Sequence, residues 1–160
     1  MVKTEVALKL NGKNIKLKAP VWKNLLDVLR EDLGLVGTRG SQGAGNCGLC
    51  LVLKNGKTVD ACSIPFFELM DTEIVTIEGI NLIKEFPDRS LIISEVLKNT
   101  VSYRSNSIIM AVKGLFLEKT FPGDDDIKYA LSGILSPVDD SNGIIQGVKK
   151  LVNMRSRRRR

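Results

Sequence analysis

The residues with chemistry in them are Cys47, Cys50 and Cys62, and they are the only cysteines in the chain. Two residues separate the first pair and eleven separate Cys50 from Cys62. Histidine is absent, which removes His-based triads, His-ligated haem and His-containing zinc sites together. A C-x-x-C pair serves redox dithiols, zinc half-sites and iron–sulfur half-sites alike. A redox dithiol of the thioredoxin kind belongs at a helix N-terminus, where the dipole lowers a thiol pKa. Here the pair leaves a glycine-rich loop and enters a predicted strand. A structural zinc needs four ligands, and no fourth cysteine or histidine exists to complete one.

The loop in front of the pair, GLVGTRGSQGAGNCG over 34–48, holds six of the 14 glycines. Each glycine weakens a regular element by ~0.5–1 kcal/mol, so this stretch must be a tightly curved loop. Such a loop suits an anionic cluster of sulfides and thiolates, because glycine lets backbone N–H groups turn inward toward it. Plant-type ferredoxin spacing is C-x4-C-x2-C followed by a distant cysteine. Counting back from Cys47 puts Gln42 at the first-cysteine position. An amide is a poor iron ligand beside a thiolate, whereas the adjacent Ser41 could supply an alkoxide if the loop shifted by one residue.

The elements that must position these residues read clearly. Val6, Leu8 and Leu10 alternate, Asn11-Gly12 signals a turn, and Ile15 and Leu17 alternate again, which predicts a hairpin ending at Pro20. Leu25, Leu26, Leu29 and Leu33 recur at helical spacing, which predicts a helix over 23–33 stopped by Gly34. Leu51 to Leu53 and Thr58-Val59 flank Asn55-Gly56 as a second hairpin. A short helical turn over 64–69 and a strand at 74–77 complete the order β-β-α-loop-β-β-β. Four apolar helical patterns then follow, around Leu91–Leu97, Ile108–Phe116, Ile127–Ile134 and Ile144–Val152. The fold class expected is α+β: a small mixed sheet crossed by one helix over 1–82, then a helical domain over 83–154, then a basic tail over 155–160.

Taken together, GTRGSQGAGNCGLCLVLKNGKTVDAC (37–62), LKLNGKNIKLKAP, LLDVLREDLGLVGT, VTIEGI, SIIMAVKGLFLE and DDDIKYALSGIL resemble the small iron–sulfur subunit of the molybdenum hydroxylase family. That family includes xanthine dehydrogenases, aldehyde oxidoreductases and carbon monoxide dehydrogenases. The resemblance runs over about residues 4–153. It implies an N-terminal β-grasp, ferredoxin-like [2Fe–2S] domain and a C-terminal four-helix bundle with a second cluster. It also implies electron transfer from a molybdopterin-binding large subunit toward an FAD-binding medium subunit. Cys47, Cys50 and Cys62 match the first cluster's ligands.

The second cluster's ligands have no match. The family places a C-x-x-C before the second bundle helix and a C-x-C after the third, where this chain reads VSYRSNSIIMA (101–111) and SGILSPVDD (132–140). Ser105 and Ser136 are the nearest hydroxyls, and serine alone does not make a cluster site. The chain is thus expected to hold one [2Fe–2S] cluster at most, with none in the C-terminal domain, whose loops would be filled by packing of residues such as Tyr103 and Pro137. Two functions stay open. One is an electron-transfer subunit that carries molybdopterin and FAD only through its partners. The other is a structural or regulatory subunit with vestigial thiols.

Composition closes off other classes. Hydrophobic residues are 43% and charged residues 26%, ordinary for a chain that buries a core. The net charge of +6 comes mostly from Arg155, Arg157, Arg158, Arg159 and Arg160. The body is nearly neutral, and the ending is expected to be a solvated tail. Aromatic residues are 5%, with a single Trp, so base-stacking platforms are not suggested and nucleic acid is not the expected partner. No apolar run reaches a membrane span and the N-terminus lacks a signal-peptide core, so a cytoplasmic protein is expected. No acid–base pair or phosphate loop appears, and a substrate site is expected only in a partner.

Overall fold

A computed structural model describes residues 2–40, 47–98, 103–134 and 139–158. The first hairpin pairs β1 (Lys3–Leu10) with β2 (Lys13–Pro20), in register from Lys3↔Pro20 to Leu10↔Lys13. Asn11 and Gly12 carry the two positive φ angles, 46° and 78°, that a tight two-residue turn demands. The second hairpin repeats the device: Asn55 and Gly56 join β3 (Leu51–Lys54) to β4 (Lys57–Asp60). With β5 (Glu73–Val75), the described residues form a five-stranded mixed sheet of order β2-β1-β5-β3-β4, in which β1 and β5 run parallel.

The predicted helix over 23–33 is formed differently. A single α-turn, α1 (Leu25–Asp27), widens at once into a π-turn over Val28–Asp32. Asn24 caps it by accepting from the Asp27 N–H at 2.9 Å. Lys23 lies outside, and its ammonium reaches back to Asp32 at 2.8 Å and Glu31 at 3.1 Å. Those two carboxylates, Asp32 first, raise the Lys23 pKa. An i→i+5 bond runs from the Leu33 N–H to the Val28 carbonyl, and Leu25, Leu26, Val28 and Leu29 are buried.

Two cores flank the sheet. Val6, Leu8, Leu10, Val52 and Ile74 meet α1, Phe66 and Leu69 on one side. On the other side, Leu51, Leu53 and Val75 meet the helices. The alternation of strand side chains explains the split: neighbours in β3 point to opposite faces, and both faces are covered. Each Leu or Ile so buried contributes ~1.5–3 kcal/mol.

The four predicted helical stretches are α2 (Arg89–Val96), α3 (Ser105–Glu118), α4 (Asp124–Leu131) and α5 (Ser141–Arg158). Helix α2 contacts α3 and α5, and α4 contacts the same two. Ile92, Ile108, Val112, Phe116, Ile127, Ile144, Val148 and Leu151 close the centre. Helix α3 also lies on β3 and β4. Lys113 of α3 is buried, and its ammonium donates to the carbonyls of Ile83 (3.1 Å), Glu85 and Pro87 (2.8 Å), which holds the connection between sheet and helices. Burial lowers the Lys113 pKa, and the charges of Glu85 and Asp88 oppose that shift.

The C-terminus corrects the expectation of a tail that begins at Arg155. Helix α5 continues through Arg158. The reason lies in an edge-on aromatic pair, Phe86 and Phe116, with centroids 5.7 Å apart. The Arg155 guanidinium stands 5.7 Å from the Phe116 ring and donates to the Phe116 carbonyl at 3.0 Å, while Arg158 lies 5.2 Å from Phe86. Cation–π contact gives these arginines a partner other than solvent. Among the described residues no helix is long and apolar enough to cross a membrane.

Candidate functional site

The β3–β4 hairpin builds the site. Leu51 pairs with Asp60, so the residues just beyond that pair face each other, and the Ala61 N–H donates to the Cys50 carbonyl at 3.0 Å. Cys62 follows in a 3-10 turn over Ala61–Ser63. The consequence is a thiol pair: the Cys50 and Cys62 sulfurs are 3.3 Å apart. Cys50 is buried and Cys62 partly exposed. The Cys50 Sγ also lies 3.5 Å from Asp60 Oδ1.

The electrostatics of the pair are specific. Burial pushes the Cys50 thiol up to about 12, aided by the neighbouring charges of Cys62 and Asp60. By itself the pair therefore keeps a proton. A cationic centre between the sulfurs would reverse this, since a coordinating thiol is deprotonated outright. Tetrahedral thiolate–metal bonds of ~2.3 Å set sulfurs about 3.8 Å apart, a spacing the two side chains reach by parting about half an ångström.

The glycine loop meets this pair from above. A Cβ on Gly40 would stand 2.6 Å from a Leu26 methyl and 3.8 Å from the Cys50 Cβ, so the loop enters directly over Cys50 where only glycine fits. On the far side of the loop Cys47 is partly exposed. Gly48 takes φ +60° and presses on the helical half, where a Cβ would be 2.6 Å from the Gly133 carbonyl oxygen. Thr38, just before the loop, has a buried hydroxyl with no partner. Gln42 and Ser41 lie outside the described residues, as do Ser136 and Pro137.

Three arginines hold the loop's flanks, and nothing in the sequence pattern singled them out. Arg30 donates to the carbonyls of Val36 (3.2 Å) and Thr38 (3.0 Å). Arg39 donates to the Tyr103 carbonyl at 3.0 Å and stacks 4.3 Å over its ring. Arg104 donates to the carbonyls of Cys47 (3.0 Å) and Ile134 (2.9 Å). Tyr103 is 60% exposed beneath Arg39, so it covers a guanidinium and does not fill an inner loop as expected. Ser105 opens α3. Among the described residues no group of three or more His, Cys, Asp or Glu side chains could hold a metal ion. The described residues thus bring Cys50 and Cys62 together as a thiol pair, and Cys47 does not join them in a three-donor group as the spacing predicts.

No family model matches the chain. Individual relatives do. The chain is 30% identical over 149 residues to a probable xanthine dehydrogenase subunit of Bacillus subtilis (strain 168), covering 93% of this chain and 86% of the relative. It is 32% identical over 138 residues to the nicotinate dehydrogenase small FeS subunit of Eubacterium barkeri, covering 84% and 86%. In structure it superposes on a chain of quinoline 2-oxidoreductase from Pseudomonas putida 86 with a TM-score of 0.80, covering 97% of both chains at 21% identity, which shows the shared fold.

Proposed function

Because the chain belongs to the small iron–sulfur subunits of the molybdenum hydroxylases, we propose that it is the electron-transfer subunit of such a complex, with one cluster site in place of two. In this reading residues 1–82 form a β-grasp domain whose Cys47, Cys50 and Cys62 hold a [2Fe–2S] cluster. Residues 83–154 form a four-helix bundle without one. When bound, the cluster supplies one-electron acceptance and release. Cys50 and Cys62 would give up their protons to hold it. Substrate oxidation belongs to a molybdopterin-binding partner and onward transfer to an FAD-binding one.

The observation that carries this reading is the 3.3 Å approach of Cys50 and Cys62, which puts two thiols within reach of one shared centre. The test is anaerobic reconstitution of the full chain with ferrous iron and sulfide. The expected product is brown, contains about two irons and two sulfides per chain by the stoichiometry of this cluster type, and bleaches with dithionite. Cys62→Ser should lose most of that absorbance.

A second reading, a structural or regulatory subunit without redox work, is favoured by one observation. The segments 101–111 and 132–140 contain no cysteine, and Arg104 ties the first of them to Ile134 in the second. A native complex in which this subunit is colourless and iron-free would support that reading and overturn the first.

A further inference from the structure

The start of α3 touches both ends of the cysteine loop. Upstream of the loop, Asn106 Nδ2 donates to the Gly37 carbonyl at 3.0 Å, and Arg39 donates to the Tyr103 carbonyl at 3.0 Å. Downstream, Arg104 donates to the Cys47 carbonyl at 3.0 Å. The same guanidinium reaches the Ile134 carbonyl at 2.9 Å and lies 3.9 Å from the carboxylate of Asp139, whose side chain is 3% exposed. Next to Cys47, Gly48 lies flat against Gly133. One guanidinium therefore ties three pieces of chain together, its Nη1 donating to both carbonyls while its Nε faces Asp139.

From this convergence we infer that residues 103–106 are a clip on the cysteine loop, and that Arg104 is the positioning residue for Cys47. The inference rests on the reading above and deepens it. The helical half, which holds no thiol of its own, sets where the backbone of the third cysteine stands. One consequence follows. Without the clip, the Cys47 backbone loses its anchor and its thiol becomes more reactive.

This consequence is measurable on the full chain. In the metal-free, reduced protein, alkylation by iodoacetamide is followed at Cys47 and at Cys62 by peptide mass spectrometry. Cys62 serves as the internal reference, because it follows the hairpin, away from the clip. In Arg104→Met, which keeps the length and donates nothing, the Cys47:Cys62 rate ratio should rise about tenfold. In Arg104→Lys it should rise less, because one ammonium can donate to both carbonyls, as that of Lys113 does to three. A general loss of packing would raise alkylation at both cysteines and leave the ratio unchanged. An unchanged ratio in Arg104→Met overturns the clip, and Asn106→Ala, which removes the bond to the Gly37 carbonyl, decides by the same ratio if Arg104→Met does not fold. A wild-type chain that takes up no iron would sink the reading of the preceding subsection, while the alkylation ratio would still decide the clip.

Discussion

Gly114 of α3 lies directly against the hydroxyl of Thr58 in β4; a side chain at 114 would collide with that oxygen and crowd a Leu53 methyl 3.2 Å away. The helices come this close to the sheet because the residue at the crossing has no Cβ. Gly114→Ala should therefore destabilise the chain by about 1–3 kcal/mol, the range for overpacking a filled core. Adding Thr58→Ala removes the colliding oxygen and should recover at least half of the loss. Urea unfolding of the two single variants and the double variant measures this coupling directly.

The buried ammonium of Lys113 should prove similarly sensitive. Lys113→Met fills the volume and strands the carbonyls of Ile83, Glu85 and Pro87, which the lysine satisfies. Leaving buried acceptors unpaired costs roughly 1–3 kcal/mol. A denaturant midpoint that falls with an unchanged slope is the expected outcome. An unchanged midpoint would mean that water replaces the ammonium at no loss.

Alkali should weaken the metal-free chain. The folded Cys50 thiol keeps its proton up to about pH 12, whereas the unfolded thiol releases it near its ordinary value of 9.0. Between those values the unfolded state binds fewer protons, so stability falls as pH rises through that window. Thermal melting of the reduced, chelator-treated protein should show the fall, and Cys50→Ala should flatten it. Below that window this group contributes no slope.

At the other end of the chain, Arg155→Ala should cost about 1 kcal/mol through the lost contacts with Phe116 and Phe86. Arg157, exposed on the same helix, is the control: Arg157→Ala should stay within about 0.5 kcal/mol. Equal effects from the two variants would restore the picture of a solvated tail.

Local chemistry was readable in the residues. Asn11-Gly12 and Asn55-Gly56 mark their turns because few residue pairs accept two positive φ angles. The helical stretches were visible from their apolar spacing. The cysteine spacing marked all three thiols as one group, and the hairpin brings only Cys50 and Cys62 together. Other features depend on partners far away in the chain. Arg104 finds the Cys47 carbonyl 57 residues back, and no local pattern encodes such a bond. The π-turn at Val28–Asp32 departs from the helix that the leucine spacing predicts, and apolar spacing does not distinguish the two geometries, since Leu25, Val28 and Leu29 share a face in either. Arg155 looked like tail because charge runs usually are; its aromatic neighbours, Phe86 and Phe116, come from a loop and a different helix.

Strand β3 has one face in each core, with Val52 on the side of α1 and Leu51 and Leu53 on the side of the helices. A strand shared in this way couples the two halves. Severing the chain after residue 82 would leave Leu51, Leu53 and Val75 as a bare apolar face, the kind of surface that drives aggregation. The sheet half should therefore not fold without the helices. Thermal unfolding should register one cooperative transition, in which the thiol pair and the helices that contain no thiol are lost together.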